Sequence, residues 1–263
     1  MRRSLGGGPP RRMPPCGGTD GARGAFYGRA MIYELRLYSV APARMADVHS
    51  RFSDHLPAMF ARHGVNCVAR WSALAGPDAP RFVYLLAYRD YAEREATWAA
   101  FYQDPEWLRI RTETNAGHEM VERHDLFFMK PNAAWQPDAS PEDVVGGLHE
   151  LVQQEVAPGR NGDANRFLVE TWLPALREVG ARVLGVFDMA AGAGMQKIVL
   201  LYGWADAAAW HAGRVRLDAH AGVRAALVEQ RERLGTTVVQ RAEINLLAPA
   251  PGAAIRAGLG RSA

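Results

Sequence analysis

The chain has 263 residues, 31 Lys and Arg against 28 Asp and Glu, a formal charge of +3 and 48% hydrophobic residues. This is an ordinary globular composition with apolar matter for a sizeable core, and no apolar run approaches the roughly 20 residues that span a bilayer. The basic balance sits at one end: residues 1–30 hold Arg2, Arg3, Arg11, Arg12, Arg23 and Arg29 against Asp20, a net +5, so residues 31–263 sum to +3 − 5 = −2 and offer no basic patch for nucleic acid.

Residues 1–30 are rich in Gly, Pro and Arg and show no hydrophobic period. They predict a disordered N-terminal extension, with the natural start at Met31. Cys16 falls in that segment and Cys67 in the folded part, so no internal disulfide joins two core cysteines; this suits a reducing cytoplasm. Lys130 and Lys197 are the only lysines, and the Arg, Ala, Gly and Pro bias is that of a high-GC bacterial genome.

Residues 31–39 alternate like a strand, with Tyr33, Leu35 and Leu37 on one face and Glu34, Arg36 and Tyr38 on the other. Residues 43–62 follow a helical period through Met45, Val48, Phe52, Leu56 and Met59, with Pro57 as a kink or restart. Residues 66–74 and 81–89 read as strands joined by the turn-rich Gly76-Pro77-Asp78-Ala79-Pro80. Residues 91–118 read as a helix in two pieces broken before Pro105, and 121–130 as a last strand. The order is β-α-β-β-α-β.

The pattern then recurs. Glu34-Leu35 matches Glu150-Leu151, Val40-Ala41-Pro42 matches Val156-Ala157-Pro158, Gly64 matches Gly180 and Asp90 matches Asp206, each 116 positions apart. Leu56-Pro57-Ala58 matches Leu173-Pro174-Ala175 after a one-residue shift. The chain therefore divides into a first unit at 31–131, a linker at 132–146, a diverged second unit at 147–249 and a loop-like, disordered tail at 250–263. A β-α-β-β-α-β unit is ferredoxin-like, with helices on one face of its sheet and the other face in need of cover. The fold class is α+β: two fused ferredoxin-like repeats whose open faces bury each other in one barrel-type structure, with a homodimer as a further option.

The run Tyr33-Glu34-Leu35-Arg36-Leu37-Tyr38, then Pro42, Leu56-Pro57, Gly64, Trp71, Ala87-Tyr88 and Asp104-Pro105-Glu106-Trp107, resembles the NIPSNAP family. The likeness covers most of 31–131 and continues more faintly over 147–249, where Asp218-Ala219-His220-Ala221 stands in the Asp104 segment's place. The resemblance implies a dimeric α/β-barrel fold and little about chemistry. Fold cousins include cofactor-free monooxygenases, haem-degrading enzymes, decarboxylases and cyclases, and inference from them is analogy.

No phosphate loop, nucleophile elbow, zinc spacing or dinucleotide fingerprint occurs. His49, His55 and His63 share one helical stretch but point about 240° and 80° apart, so they do not converge on a metal. Glu34 and Arg36 share a strand face. If that face meets the barrel interior, they form a buried ion pair that fixes register, or a general base with a guanidinium holding an anionic oxygen. His55, three after Phe52 and four before Met59, points toward the apolar face; it is either a core-edge histidine or the best proton-transfer candidate. Tyr33, Trp71, Tyr84 and Trp107 are either core packing or the lining of an aromatic pocket. In the second unit Arg36, His55, Trp71 and Tyr84 become Val152, Trp172, Phe187 and Leu200, so any site belongs in the first. The expectation is an enzyme without cofactor or metal, of monooxygenase, cyclase or isomerase type, acting on an apolar or aromatic small organic ligand. A non-catalytic binding or scaffold module is the alternative, and a haem-handling protein with His55 as axial ligand is a third.

Overall fold

The computed structural model describes residues 32–136, 146–194, 196–253, 255 and 259. The first repeat runs β1 (Ile32–Val40), α1 (Met45–Ser50), a π turn (Arg51–His55), α2 (Leu56–His63), β2 (Cys67–Ala75), β3 (Arg81–Tyr88), α3 (Tyr91–Gln103), α4 (Pro105–Asn115) and β4 (Val121–Pro131). The second runs β5 (Leu148–Val156), α5 (Asn161–Phe167), a second π turn (Leu168–Trp172), α6 (Leu173–Glu178), β6 (Arg182–Ala191), β7 (Lys197–Trp204), α7 (Ala207–Ala219), α8 (Ala221–Leu234) and β8 (Val239–Pro249). No helix among the described residues is long and apolar enough to cross a membrane.

The eight strands close into one barrel in the order β1-β3-β2-β8-β5-β7-β6-β4, every pair antiparallel. Each repeat supplies four consecutive strands, and β2 with β8 and β4 with β6 join the two sheets. Closure removes the edges that a four-stranded sheet would leave unpaired. Inside, Tyr33, Leu35 and Leu37 meet Leu151, Phe187, Val199 and Leu201 from the other repeat. Tyr33 packs edge-on against Phe187 at 4.9 Å, and Trp71 Nε1 donates to His149 Nδ1 across the repeats at 2.8 Å. The interior is a packed core. Two further apolar layers lie outside the barrel, one beneath each repeat's helices.

The inner face of β1 is thus the Tyr33 face. Glu34, Arg36 and Tyr38 point outward, under the helices of their own repeat, which corrects the idea that Glu34 and Arg36 face the barrel interior. Both faces of β1 are buried, so period-2 alternation alone does not tell which one looks inward.

Pro57 and Pro174 lie in the first turn of α2 and α6, where a missing N–H costs nothing. Each is preceded by a π turn, which holds more residues per turn than an α-helix. The inward position after Phe52 therefore falls on Leu56, and His55, at the end of the turn, is left half-buried to the side.

A latch ties the two helical segments of each repeat. Asp104 caps α4 by accepting from Glu106 N–H at 2.8 Å, and the same carboxylate takes His63 Nε2 at 2.8 Å and Arg62 at 2.9 Å. In the second repeat the polarity is exchanged: His220 accepts from Val223 N–H through Nδ1, and its Nε2 meets Glu178 at 3.0 Å.

Two segments expected to be loose carry packing. Asn132, fully buried, donates to Asp188 and Asn165, and Trp135 joins the core beneath the second repeat's helices. Past Pro249, Ala250 packs under the first repeat's helices, while Ile255 and Leu259 enter the barrel core; Leu259 N–H donates to the Leu184 carbonyl at 2.8 Å. The described part of 250–263 is therefore not a free tail: β6 has backbone to spare where β4 ends, and apolar side chains fill the barrel end. Residues 1–30 and the proline-bearing middle of the linker lie outside the described residues.

Candidate functional site

A cavity of about 400 Å³ lies between the outer face of the first repeat's sheet and its helices. Its floor comes from β1 and β3, which present Arg36, Tyr38 and Tyr84 side by side because Arg36 and Tyr84 are register partners. Its walls are Val48, Phe52, Leu56, Phe60, Trp98, Phe101 and Trp107. The half-exposed Tyr102 and Leu108, with Arg111, mark the mouth.

The floor is a charged hydrogen-bonded cluster. Arg36 donates to Glu34 at 2.7 Å, to Tyr38 Oη at 3.0 Å and to Tyr84 Oη at 3.2 Å, and its guanidinium stacks 3.9 Å from the Trp98 ring centroid. Glu34 lies behind it, wholly buried, and also accepts from Arg94 at 3.0 and 3.1 Å. Burial works against the charge on Arg36, whose pKa is nevertheless raised by Tyr84, Tyr38 and Glu34; near neutral pH the Glu34 carboxylate is the counter-charge and the two hydroxyls accept hydrogen bonds. Burial, opposed in part by Arg36, raises the Tyr38 hydroxyl above its ordinary range; the Tyr84 hydroxyl is raised well above, by burial and then by Tyr38. Both phenols therefore stay protonated near neutral pH. One of their two protons lies between them, at 2.5 Å, which leaves the other to point at a ligand.

His124 on β4 is the register partner of Tyr38 and packs edge-on against its ring at 4.5 Å. It lines the cavity from an exposed position on β4, and partial desolvation on the cavity side, followed by the positive field of Arg36, lowers its pKa. A neutral imidazole thus stands beside a phenolic donor.

Of the residues singled out from sequence, Arg36, Tyr84 and Trp107 line this cavity, with Glu34 directly behind Arg36. Tyr33 and Trp71 are in the barrel interior, and His55 does not line the cavity. A haem-handling role with His55 as axial ligand therefore lacks its ligand at this cavity. Sequence reading missed His124, although alternation along β4, with Phe127 and Met129 inward, puts it on the face of Arg36 and Tyr38. It also missed Tyr38, Trp98, Phe101 and Arg51 as lining, because both helical segments of the repeat, α1 to α2 and α3 to α4, converge there.

The matching place in the second repeat is nearly filled, with about 30 Å³ left beside Gln154, Leu168, Trp172 and Leu200. Val152 and Leu200 replace Arg36 and Tyr84, and Trp172 donates to Tyr202 Oη at 3.0 Å. Glu150 persists there, held by Trp204 Nε1 at 3.1 Å and Arg214 at 3.5 Å. Trp98 and Arg94 correspond to Arg214 and Trp210, so arginine and tryptophan have exchanged places one helical turn apart. Neither carboxylate depends on the other repeat for its partner.

A model of the family described as NIPSNAP matches residues 33–135 and 150–252. No curated relative matches the chain. Among solved structures, a protein named "putative monooxygenase" from Fusobacterium nucleatum is similar over 89% of this chain and 99% of its own, at 10% identity and a TM-score of 0.56. Another of that name from Lactobacillus acidophilus covers 86% and 98%, at 9% identity and 0.51. A NIPSNAP-like domain protein from Burkholderia xenovorans matches 44% of this chain and 99% of its own, at 21% identity and 0.37. At these identities the two larger matches speak for the fold alone.

Proposed function

Since the chain belongs to the NIPSNAP family and closes both its repeats into one barrel, we propose that the first repeat is the working half, receiving an apolar or aromatic small organic molecule and acting on it by cofactor-independent proton transfer. The observation that carries this reading is the asymmetry between a cavity of about 400 Å³ floored by Arg36, Tyr38 and Tyr84 and its nearly filled counterpart. The volume is in the range of small-molecule sites, and the mix of aromatic walls with a few converging polar groups is their usual chemistry.

In this reading a carbonyl oxygen of the ligand sits on the free phenolic proton, with Arg36 behind it. His124 takes the proton from the adjacent carbon. The C–H pair becomes the C=C bond of an enolate while the carbonyl π pair moves onto the oxygen, where the phenol and guanidinium meet the growing charge. Return of the proton to the same carbon gives exchange, and return elsewhere gives isomerisation. Glu34, engaged by two arginines, positions Arg36 instead of serving as the base. Proton abstraction is also a first step open to cofactor-free oxygenation and cyclisation.

The test incubates the full chain in D₂O with aryl alkyl ketones and 3-aryl-2-oxo acids and follows loss of the signal of the C–H next to the carbonyl by NMR. Exchange above the buffer rate is expected, reduced about 10²–10⁴-fold in His124→Ala and strongly in Arg36→Val. Ligands that bind without any exchange would reject catalysis and leave a binding module, a reading favoured by how fully Arg36 and Glu34 already satisfy one another.

A further inference from the structure

We infer that the ligand of the first-repeat cavity is an anion, an apolar or aromatic monocarboxylate whose charge is met by Arg51 on the wall and Arg36 on the floor; this rests on the reading of the cavity as a small-molecule site. Among the described residues, the charged side chains that line the cavity are Arg36, Arg51, Arg111 and Glu119: three guanidiniums and one carboxylate. Glu119 already pairs with Arg111. Glu34, behind the floor, is shared between Arg36 and Arg94. The lining therefore carries an excess of positive charge.

Arg51 is the decisive residue. Its side chain is buried, 8% exposed, in the first π turn between the lining residues Val48 and Phe52. Its hydrogen-bond partners are neutral oxygens: Thr114 Oγ1 at 2.8 Å, Asn115 Oδ1 at 2.6 Å and the Arg111 carbonyl at 3.5 Å. Those bonds run from Nε and Nη2, so Nη1 keeps its donors for something else. A buried guanidinium is normally paired with a carboxylate or another anion. Burial lowers the Arg51 pKa to about 10 even though the nearby Glu119 carboxylate works in the opposite direction, so the cation is compensated only in part and stays charged at neutral pH. Trp107 flanks it with the ring centroid at 5.7 Å, so an aromatic body and a carboxylate would be received together. The corresponding stretch of the second repeat carries the apolar Phe167 and Leu168, and the space beside it is nearly filled.

Isothermal titration of the full chain with 2-naphthoate and with isosteric, neutral 2-naphthamide tests this. Naphthoate should bind at least about tenfold more tightly than the amide, the worth of one charge-assisted hydrogen bond, and this preference should shrink as salt rises. Arg51→Met should remove most of the preference, with Arg36 supplying the remainder, while amide binding stays. Because Arg51 also ties the π turn to α4, Arg51→Lys is the companion variant: it keeps the charge and should keep most of the preference. Equal binding of the two probes, or a preference unchanged in Arg51→Met, overturns the anion inference while the cavity reading stands. Binding of neither probe overturns the cavity reading itself.

Discussion

Replacing Glu34 by Gln should be the most damaging conservative change in the first repeat. Glu34 is 0% exposed, and its two oxygens take Arg36 at 2.7 Å and Arg94 at 3.0 and 3.1 Å. The amide removes the charge and turns one acceptor into a donor facing guanidinium N–H groups. Breaking a buried ion pair from one side costs about 3–5 kcal/mol, because the other ion is left uncompensated. Arg94 is 21% exposed and can turn to solvent, whereas Arg36 at 2% cannot. One orphaned cation therefore sets the loss, which puts it near the lower end, about 3 kcal/mol. At roughly 2–4 °C per kcal/mol for a domain of this size, the melting temperature should fall by about 6–12 °C. Arg36→Val alone should cost less, since Glu34 retains Arg94. The double variant should be more stable than Glu34→Gln by itself, because it removes the orphan. Urea unfolding followed by circular dichroism on all three variants completes the cycle. A Glu34→Gln loss below about 1 kcal/mol, or a double variant no better than Glu34→Gln, would refute the idea that an uncompensated Arg36 is what the carboxylate prevents.

Deleting residues 250–263 should destabilise the fold by about 2 kcal/mol or more, since buried Ile255 and Leu259 each contribute about 1.5–3 kcal/mol before ordering costs; an unchanged urea midpoint would show that the barrel end does not need them. Asp104 is lowered from 3.8 to about 2 by His63, then by the Glu106 N–H and Arg62. A depressed acid stabilises the fold fully above its unfolded pKa and loses that contribution as pH falls through the folded value. Acid titration from pH 4 to pH 2 should therefore show a stability loss that Asp104→Asn flattens, and identical acid limbs would remove the latch as its source.

The two repeats, their β-α-β-β-α-β order, the break before Pro105 and the restart at Pro57 were all legible in the sequence. They rest on local signals: a constant offset of 116, alternation in strands, and residues with restricted backbone. The pairing of repeats within one chain followed from the same pattern, since a sheet with helices on one face must cover the other. The asymmetry was legible too, because Arg36, Trp71 and Tyr84 against Val152, Phe187 and Leu200 is a comparison of letters.

What the letters left open depended on contacts between distant segments. Alternation divides β1 into a Tyr33 face and a Glu34 face but carries no sign for which one a second sheet will cover, and both are buried. A uniform helical count aimed both His55 and Leu56 at the apolar face; with the π turn only Leu56 stays inward and His55 is left to the side. Ile255 and Leu259 sit among Gly, Ala and Pro with no period to announce them, and only the unpaired backbone of β6 and the open barrel end draw them in. The cavity was the least legible feature of all. It is a volume that side chains from β1, β3 and β4 and from the repeat's two helical segments do not fill. Its charge imbalance exists only where Arg36, Arg51 and Arg111, spread over 76 positions (111 − 36 + 1), are brought around one space. Sequence periodicity reports what each element buries; only the packed tertiary structure decides what is left empty between them.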